Sequence, residues 1–471
     1  MTRPFTDHTD IGDVRSAGDI AYDESAQTTT ITGPEGERGA FHFAGQQMRG
    51  DFIVTAQGKF ADGDANPHRE LGWMACASLD IDSPGVSAAV HGDGLVSLRV
   101  RREPGGQIEA LQAPVTGADV IQLERRGSTF LLSAARFGEP FTSVQISQVD
   151  LDEALYVGLC VSAQAQAEFR NVRVVAPAQP GFDRSKDPFG SRLEILDVET
   201  GHRQVIYSTD DVFEAPNWTR DGKALIFNSQ GRLFRFSLET KTPQPIDTGD
   251  VIYNNNDHVL SFDGKMIAIS SHTAPDFHSM IYTVPLEGGQ PKQITPTGPS
   301  YLHGWSADDR YLVYTALRGG DYDIYRIPAT GGEEERLTTA PGLDDGPEYT
   351  PNGRYIYFNS VRGGSMQIWR MKPDGSEQEQ LTDDDCNNWF PHISPDGRQI
   401  IFVSYLPGEV TPSDHPAARR VYLRTMPLDG DAPKVVAYLY GGQGTMNVPS
   451  WSPDGKRVAF VSNTVPYGDT A

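Results

Sequence analysis

The sequence predicts an all-β protein, and three observations carry that prediction. A short turn phrase recurs six times. Gly and Pro are abundant, at 48 and 33 of 471 residues. The runs between turns are short and rich in β-branched and aromatic residues, and none is spaced for a long helix. Two all-β parts follow: an antiparallel sandwich over residues 1–176 and a six-bladed propeller over 189–471, with 177–188 as linker.

The phrase is PNWTRDG at Pro216–Gly222, HVLSFDG at His258–Gly264, HGWSADD at His303–Asp309, PEYTPNG at Pro347–Gly353, PHISPDG at Pro391–Gly397 and PSWSPDG at Pro449–Gly455. It recurs at steps of about 42 to 45 residues, with one of about 58, and a fixed period in this range marks a propeller or solenoid. Pro restricts φ, Asp caps the turn and Gly permits positive φ, so each copy reads as strand, tight turn, strand. Six copies give six blades. The last blade lacks its outer strands after Asn463, while Arg192–Ser208 carries a strand–turn–strand pattern with no blade of its own. The ring therefore closes by strand exchange between residues near 192–208 and the C-terminal blade, which removes exposed sheet edges.

Ahead of the propeller, alternation is clear in Val96–Arg101 and Phe169–Val174, as on a sheet with one buried and one wet face. GDFIVTAQGKF (Gly50–Phe60), ELGWMACASLD (Glu70–Asp80), LVSLRVRRE and AEFRNVRVVA together resemble the concanavalin-like jelly-roll domains of the DUF1349 type. Relatives of that fold bind or cleave sugars, though the fold also serves non-catalytic modules. Trp73, in an apolar strand, reads as core, and Arg99, Arg101 and Arg102 as a solvated face. PAQPGFDRSKDP has linker composition.

The net charge is −23. Such a field repels nucleic acid and anionic lipid, so neither is an expected partner. Three sparse cysteines, Cys76, Cys160 and Cys386, make no disulfide framework. MTRPFTDHTDIGDV has no apolar leader region, so the expected compartment is the cytoplasm. Oligomers are allowed.

Repeat phase places the chemistry. With the Pro-Asp-Gly turns at one end of the ring, residues entering the first strand of each blade and loops leaving the second lie at the opposite mouth. Residues there that bear chemistry are Glu214, Asn217, Asn256, Asp257, Asp344, Asp345, Asn388, Trp389, Arg318 and Asn447, the expected substrate-binding set. Trp389 breaks the phase of Trp218, Trp305 and Trp451, which read as packing between blades; Trp389 is expected to face a ligand. The position three before the turn Ser or Thr is Pro in four blades but His258 and His303 in two, and His392 follows one residue later in its own blade. Imidazoles and carboxylates gathered at one mouth could hold a divalent metal, Mn, Ca or Zn, through His258, His303, His392 and Glu348. Each also has a plainer reading as a hydrogen-bonded wall residue or loop cap.

The propeller half, residues 190–463, is similar to TolB propellers with the PD40 type of repeat. The mouth resembles that of oligogalacturonate lyase, whose propeller holds a metal through histidines. That resemblance implies His303, His258 and Arg362 as catalytic residues, with Arg318 or Arg362 clamping a uronate carboxylate. The expectation is a carbohydrate-active protein binding an oligosaccharide or other small polar ligand, with metal-assisted lyase or hydrolase chemistry. The alternatives are a non-catalytic scaffold for protein partners and a sugar sensor or carrier. No Ser-His-Asp spacing, Walker loop or dinucleotide fingerprint is present.

Overall fold

A computed structural model describes residues 4–36, 39–61, 66–428 and 430–466. The chain divides into two compact units, Met1–Gln179 and Pro180–Pro466. Among the described residues every strand pairing is antiparallel, and no helix is long and apolar enough to cross a membrane.

The first unit holds two seven-stranded sheets. One centres on Ala154–Ser162 and Glu70–Cys76, the other on Phe52–Phe60 and Gln166–Val175. Alternate side chains of both sheets meet in one core, as in a sandwich. Trp73 is fully buried there with Leu98, Leu123, Phe130 and Phe169. Its indole N–H donates to the Ile121 carbonyl at 3.2 Å, so the ring is core, as its apolar strand predicts. Arg99 is not free on a wet face: it forms a forked pair with Glu70.

The second unit is the propeller. Five sheets have four strands each, starting with Glu214–Trp218, Asn254–Leu260, Ser300–Trp305, Asp344–Tyr349 and Asn387–Ile393. In the sixth, Arg457–Thr464 pairs with Gly190–Asp197, which pairs with Arg203–Thr209, and a bridge from Trp451 to Val458 adds the inner strand. The ring thus closes by the predicted exchange. Residues 180–188, expected as linker, belong to this unit. The Phe182 ring lies 5.0 Å from that of Phe189, and Arg184 reaches Glu214.

The turn phrase is held by one repeated contact. The Ser or Thr hydroxyl donates to the Asp or Asn two residues on, at 2.6 Å for Thr219, 2.8 Å for Ser261 and Thr350, and 2.7 Å for Ser394. The same carboxylate or amide oxygen accepts a backbone N–H two residues beyond it, as from Lys223 and Lys265. This fixes where each hairpin turns. Trp305 and Trp451 then fasten neighbouring blades, their indole N–H groups donating to Val259 and His392 carbonyls, each at 2.9 Å.

Each of the first five inner strands carries an irregularity in its ladder near the mouth. An inserted residue bends a strand and re-aims its side chains. In blade four the break spans Gly346, at φ 63°, where a side chain would collide with Asn359. Its N–H donates to Asp345 Oδ1 at 2.8 Å, which turns that carboxylate toward the ring axis.

Candidate functional site

The irregular inner strands frame a cavity of about 420 Å³ at the mouth opposite the Pro-Asp-Gly turns. Asn255, Asn256 and Asp257 come from blade two, Tyr301 and His303 from blade three, and Asp345 from blade four. Phe390 and His415 of blade five, with Gln443 and Asn447 of the next crossing, complete the wall. Among the described residues that line it there is no lysine or arginine.

Its electrostatic centre is the pair of His303 Nε2 and Asp345 Oδ1, 3.0 Å apart and both buried. Burial works against charge on the imidazole, but Asp345 outweighs it and holds His303 above its ordinary pKa, with help from Asp257. Burial also opposes the Asp345 carboxylate, yet His303 holds it down to about 2. The Phe390 ring stacks on His303 at 5.8 Å. Asp257 differs. It is 5 % exposed, and burial pushes its carboxyl up to about 7, with Asp345 and Glu214 adding repulsion that His303 only partly offsets. Burial lowers His415, whose ring lies flat on Trp389 at 4.2 Å.

Of the residues singled out in the sequence, Asn256, Asp257, His303, Asp345 and Asn447 line this cavity. Glu214 stands beside it, paired with Arg184 at 2.5 Å and 3.4 Å from the Asn256 amide. The others lie elsewhere, each for a stated reason. His258 is sealed between blades one and two, its Nε2 3.2 Å from the Ile226 carbonyl, and burial drives its pKa down to about 4. His392 is clamped between Glu348, 2.7 Å from Nδ1, and the Met446 carbonyl, 3.2 Å from Nε2. Glu348 also accepts the Ile393 N–H at 3.1 Å, so this pair staples blades four and five.

The expected metal set His258, His303, His392 and Glu348 therefore does not converge. Among the described residues no group of three or more His, Cys, Asp or Glu is placed to hold a metal ion. Nor are the expected clamps free. Arg318 is forked on Glu334 and donates to the Pro299 and Thr297 carbonyls. Arg362 is held by Asp344 at 2.6 Å, with Ser360 and Gln378. Asp344 is consumed by that pair. Asn217 ties three blades, donating to the Pro449 carbonyl and accepting the Leu260 N–H. Asn388 is buried in a network with Gln367 and Arg424. Trp389, expected to face a ligand, has no exposed surface and backs His415 from the core.

Sequence reasoning missed Tyr322 and Phe390 in the wall and Arg184 beside it. Tyr322 starts the strand after the loop that carries Arg318, so a search of residues re-entering the third strand would have met it. Phe390 sits in the blade-five irregularity at φ 56°, which no composition rule announces.

A family model described as the TolB beta propeller domain matches residues 303–416, a span that contains His303, Asp345 and His415. An uncharacterized protein of Agrobacterium fabrum is 45 % identical over 273 residues, 58 % of this chain and 92 % of that protein. A structure from Agrobacterium tumefaciens reported as a TolB is also 45 % identical. It has a TM-score of 0.57 and matches over 59 % of this chain and 99 % of that one. An oligogalacturonate lyase from Vibrio parahaemolyticus reaches 15 % identity and a TM-score of 0.38 over 57 % of this chain and 77 % of its own, too remote for any residue to be carried across.

Proposed function

The chain belongs to the TolB-like β-propeller family of the Agrobacterium protein, and from that premise we propose that its propeller mouth binds a small polar ligand. One observation carries this reading. Two carboxylates, three imidazoles and four amides from several blades line one cavity, where ionisable groups are costly to keep without a partner. A cavity of this size suits one or two rings of a hydroxyl-rich molecule, so an oligosaccharide end remains a fitting ligand class. Uronate-lyase chemistry is the weaker form of the proposal. Its carboxylate clamps, Arg318 and Arg362, are engaged elsewhere, and Asp257 and Asp345 would repel a uronate.

The test is His303→Ala. It is expected to abolish ligand-induced thermal stabilisation in a screen of neutral and amino saccharides while the variant keeps a cooperative transition. A ligand at a hundredfold excess over its dissociation constant stabilises wild type by about 2.7 kcal/mol. Unchanged ligand response in His303→Ala overturns the reading. A second reading, a scaffold for a protein partner, is favoured by Tyr253 and Phe277. Each is 53 % exposed, and their rings are 5.2 Å apart beside His272, which lines the cavity.

A further inference from the structure

We propose that the mouth cavity recognises a ligand bearing a protonated amine, with Asp257 as its counterion and Tyr301 and Tyr322 as aromatic walls. The inference rests on the reading of the mouth as a ligand site and narrows the ligand's chemistry.

Asp257 is the cavity carboxylate with no cation of its own: Asn255 is its hydrogen-bonding neighbour, and the nearby His303 is paired with Asp345. Asp257 is more than nine-tenths buried and lines the cavity. Its own N–H is satisfied by Asn255, and that side chain is also the polar group beside its carboxyl. The cations that could have answered it are taken. His303 is paired with Asp345, and Arg184 with Glu214. His272 Nδ1 lies 3.0 Å from the Phe277 carbonyl, and His415 is stacked on Trp389. The charged groups that face Asp257 are thus His303, Asp345 and Glu214, of which two are acidic. A buried carboxylate in this setting lacks one thing, a positive charge within contact distance. Its raised pKa agrees with that geometry.

The walls suit the same ligand. Tyr301 and Tyr322 both line the cavity with ring centres 6.2 Å apart, and aromatic faces attract ammonium groups. The Tyr301 hydroxyl, pushed up to about 12 by burial, stays neutral. Asn255, Asn256, Gln443 and Asn447 can serve neutral hydroxyls, but a neutral ligand leaves Asp257 unanswered. The amine could belong to a small free molecule or to the end of a longer one. In the second case the remainder would pass His272, whose ring stacks on Phe277 at 6.4 Å, and lie on the exposed Tyr253–Phe277 pair.

Calorimetry on the full chain tests this with isosteric pairs: butylamine against butanol, and 6-amino-6-deoxyglucose against glucose, at pH 6 and pH 8. The amine of each pair is expected to bind more tightly. The gap should widen about eight- to tenfold between the two pH values as Asp257 ionises, and Asp257→Asn should erase it. Adding 4-phenylbutylamine separates the sources: Phe277→Ala weakens it selectively if the amine ends a longer ligand, and leaves it unchanged if the ligand is small. Glucose binding as well as its amino form, in wild type and in Asp257→Asn alike, overturns the amine inference and leaves the mouth as a polar site. No probe binding to wild type overturns both.

Discussion

Blades two and three carry a histidine at the same point of the repeat, and the two rings meet opposite fates. In blade two, the ladder is irregular between Asn254 and His258; His258 is back in register opposite Ile269, and its ring is locked against the neighbouring blade. In blade three, Leu302 pairs with Tyr314 and Gly304 with Val313, so His303 is itself the extra residue. Its ring swings to the mouth and meets Asp345. Sequence period places the Cα of a residue. The position of the inserted residue decides which way its side chain points.

That contrast between seam and mouth can be broken by mutation. The largest effect is expected at the seam. Glu348→Ala leaves His392 and the Ile393 N–H buried without their acceptor and should cost about 3–5 kcal/mol in urea unfolding.

Next come two opposed pH effects. Asp257 has a folded pKa of about 7 against an ordinary value of 3.8, so its contribution is full below about pH 4 and is lost as pH rises through 7. It amounts to up to about 4 kcal/mol. His258 has a folded pKa of about 4 against 6.5, so its contribution is full above about 6.5 and is lost as pH falls through 4, about 3 kcal/mol in all. In wild type these slopes largely cancel between pH 4 and 7. Asp257→Asn should uncover a stability that rises with pH, and His258→Gln one that falls, both read from urea midpoints across that range. A flat profile in both variants would remove the electrostatic difference between the two blades.

The smallest effect is expected at the wall. Tyr322→Phe, which deletes one hydroxyl facing the cavity, should change stability by less than about 0.5 kcal/mol in the same denaturation.

The architecture was legible because its causes are local. A hydroxyl, a carboxylate or amide oxygen two residues on and a residue at positive φ set each turn within five residues, as Ser261, Asp263 and Gly264 do, with Asn352 and Asp309 filling the second and third roles in one blade each. Six such turns and one orphan strand pair suffice to infer the closed ring. The site was legible only in part because its decisive partners are distant in sequence. His392 is claimed by Glu348, 44 residues away, and Arg318 by Glu334 in the next hairpin. Asp257 and His303 could be read as mouth residues, but that the described lining residues include no lysine or arginine emerges only when the wall is assembled.

The sixth blade has one more implication. Ser462 Oγ donates to Glu194 Oε1 across 268 residues of chain, and along this seam Gly190–Asp197 pairs with Arg457–Thr464. A ribosome delivers one half of this sheet long before the other. Until then the early hairpin presents an unpaired edge, a template for any neighbouring nascent strand. Translation that stalls before Arg457 would leave five finished blades and a gap, so premature termination should yield aggregates rather than a smaller, working ring.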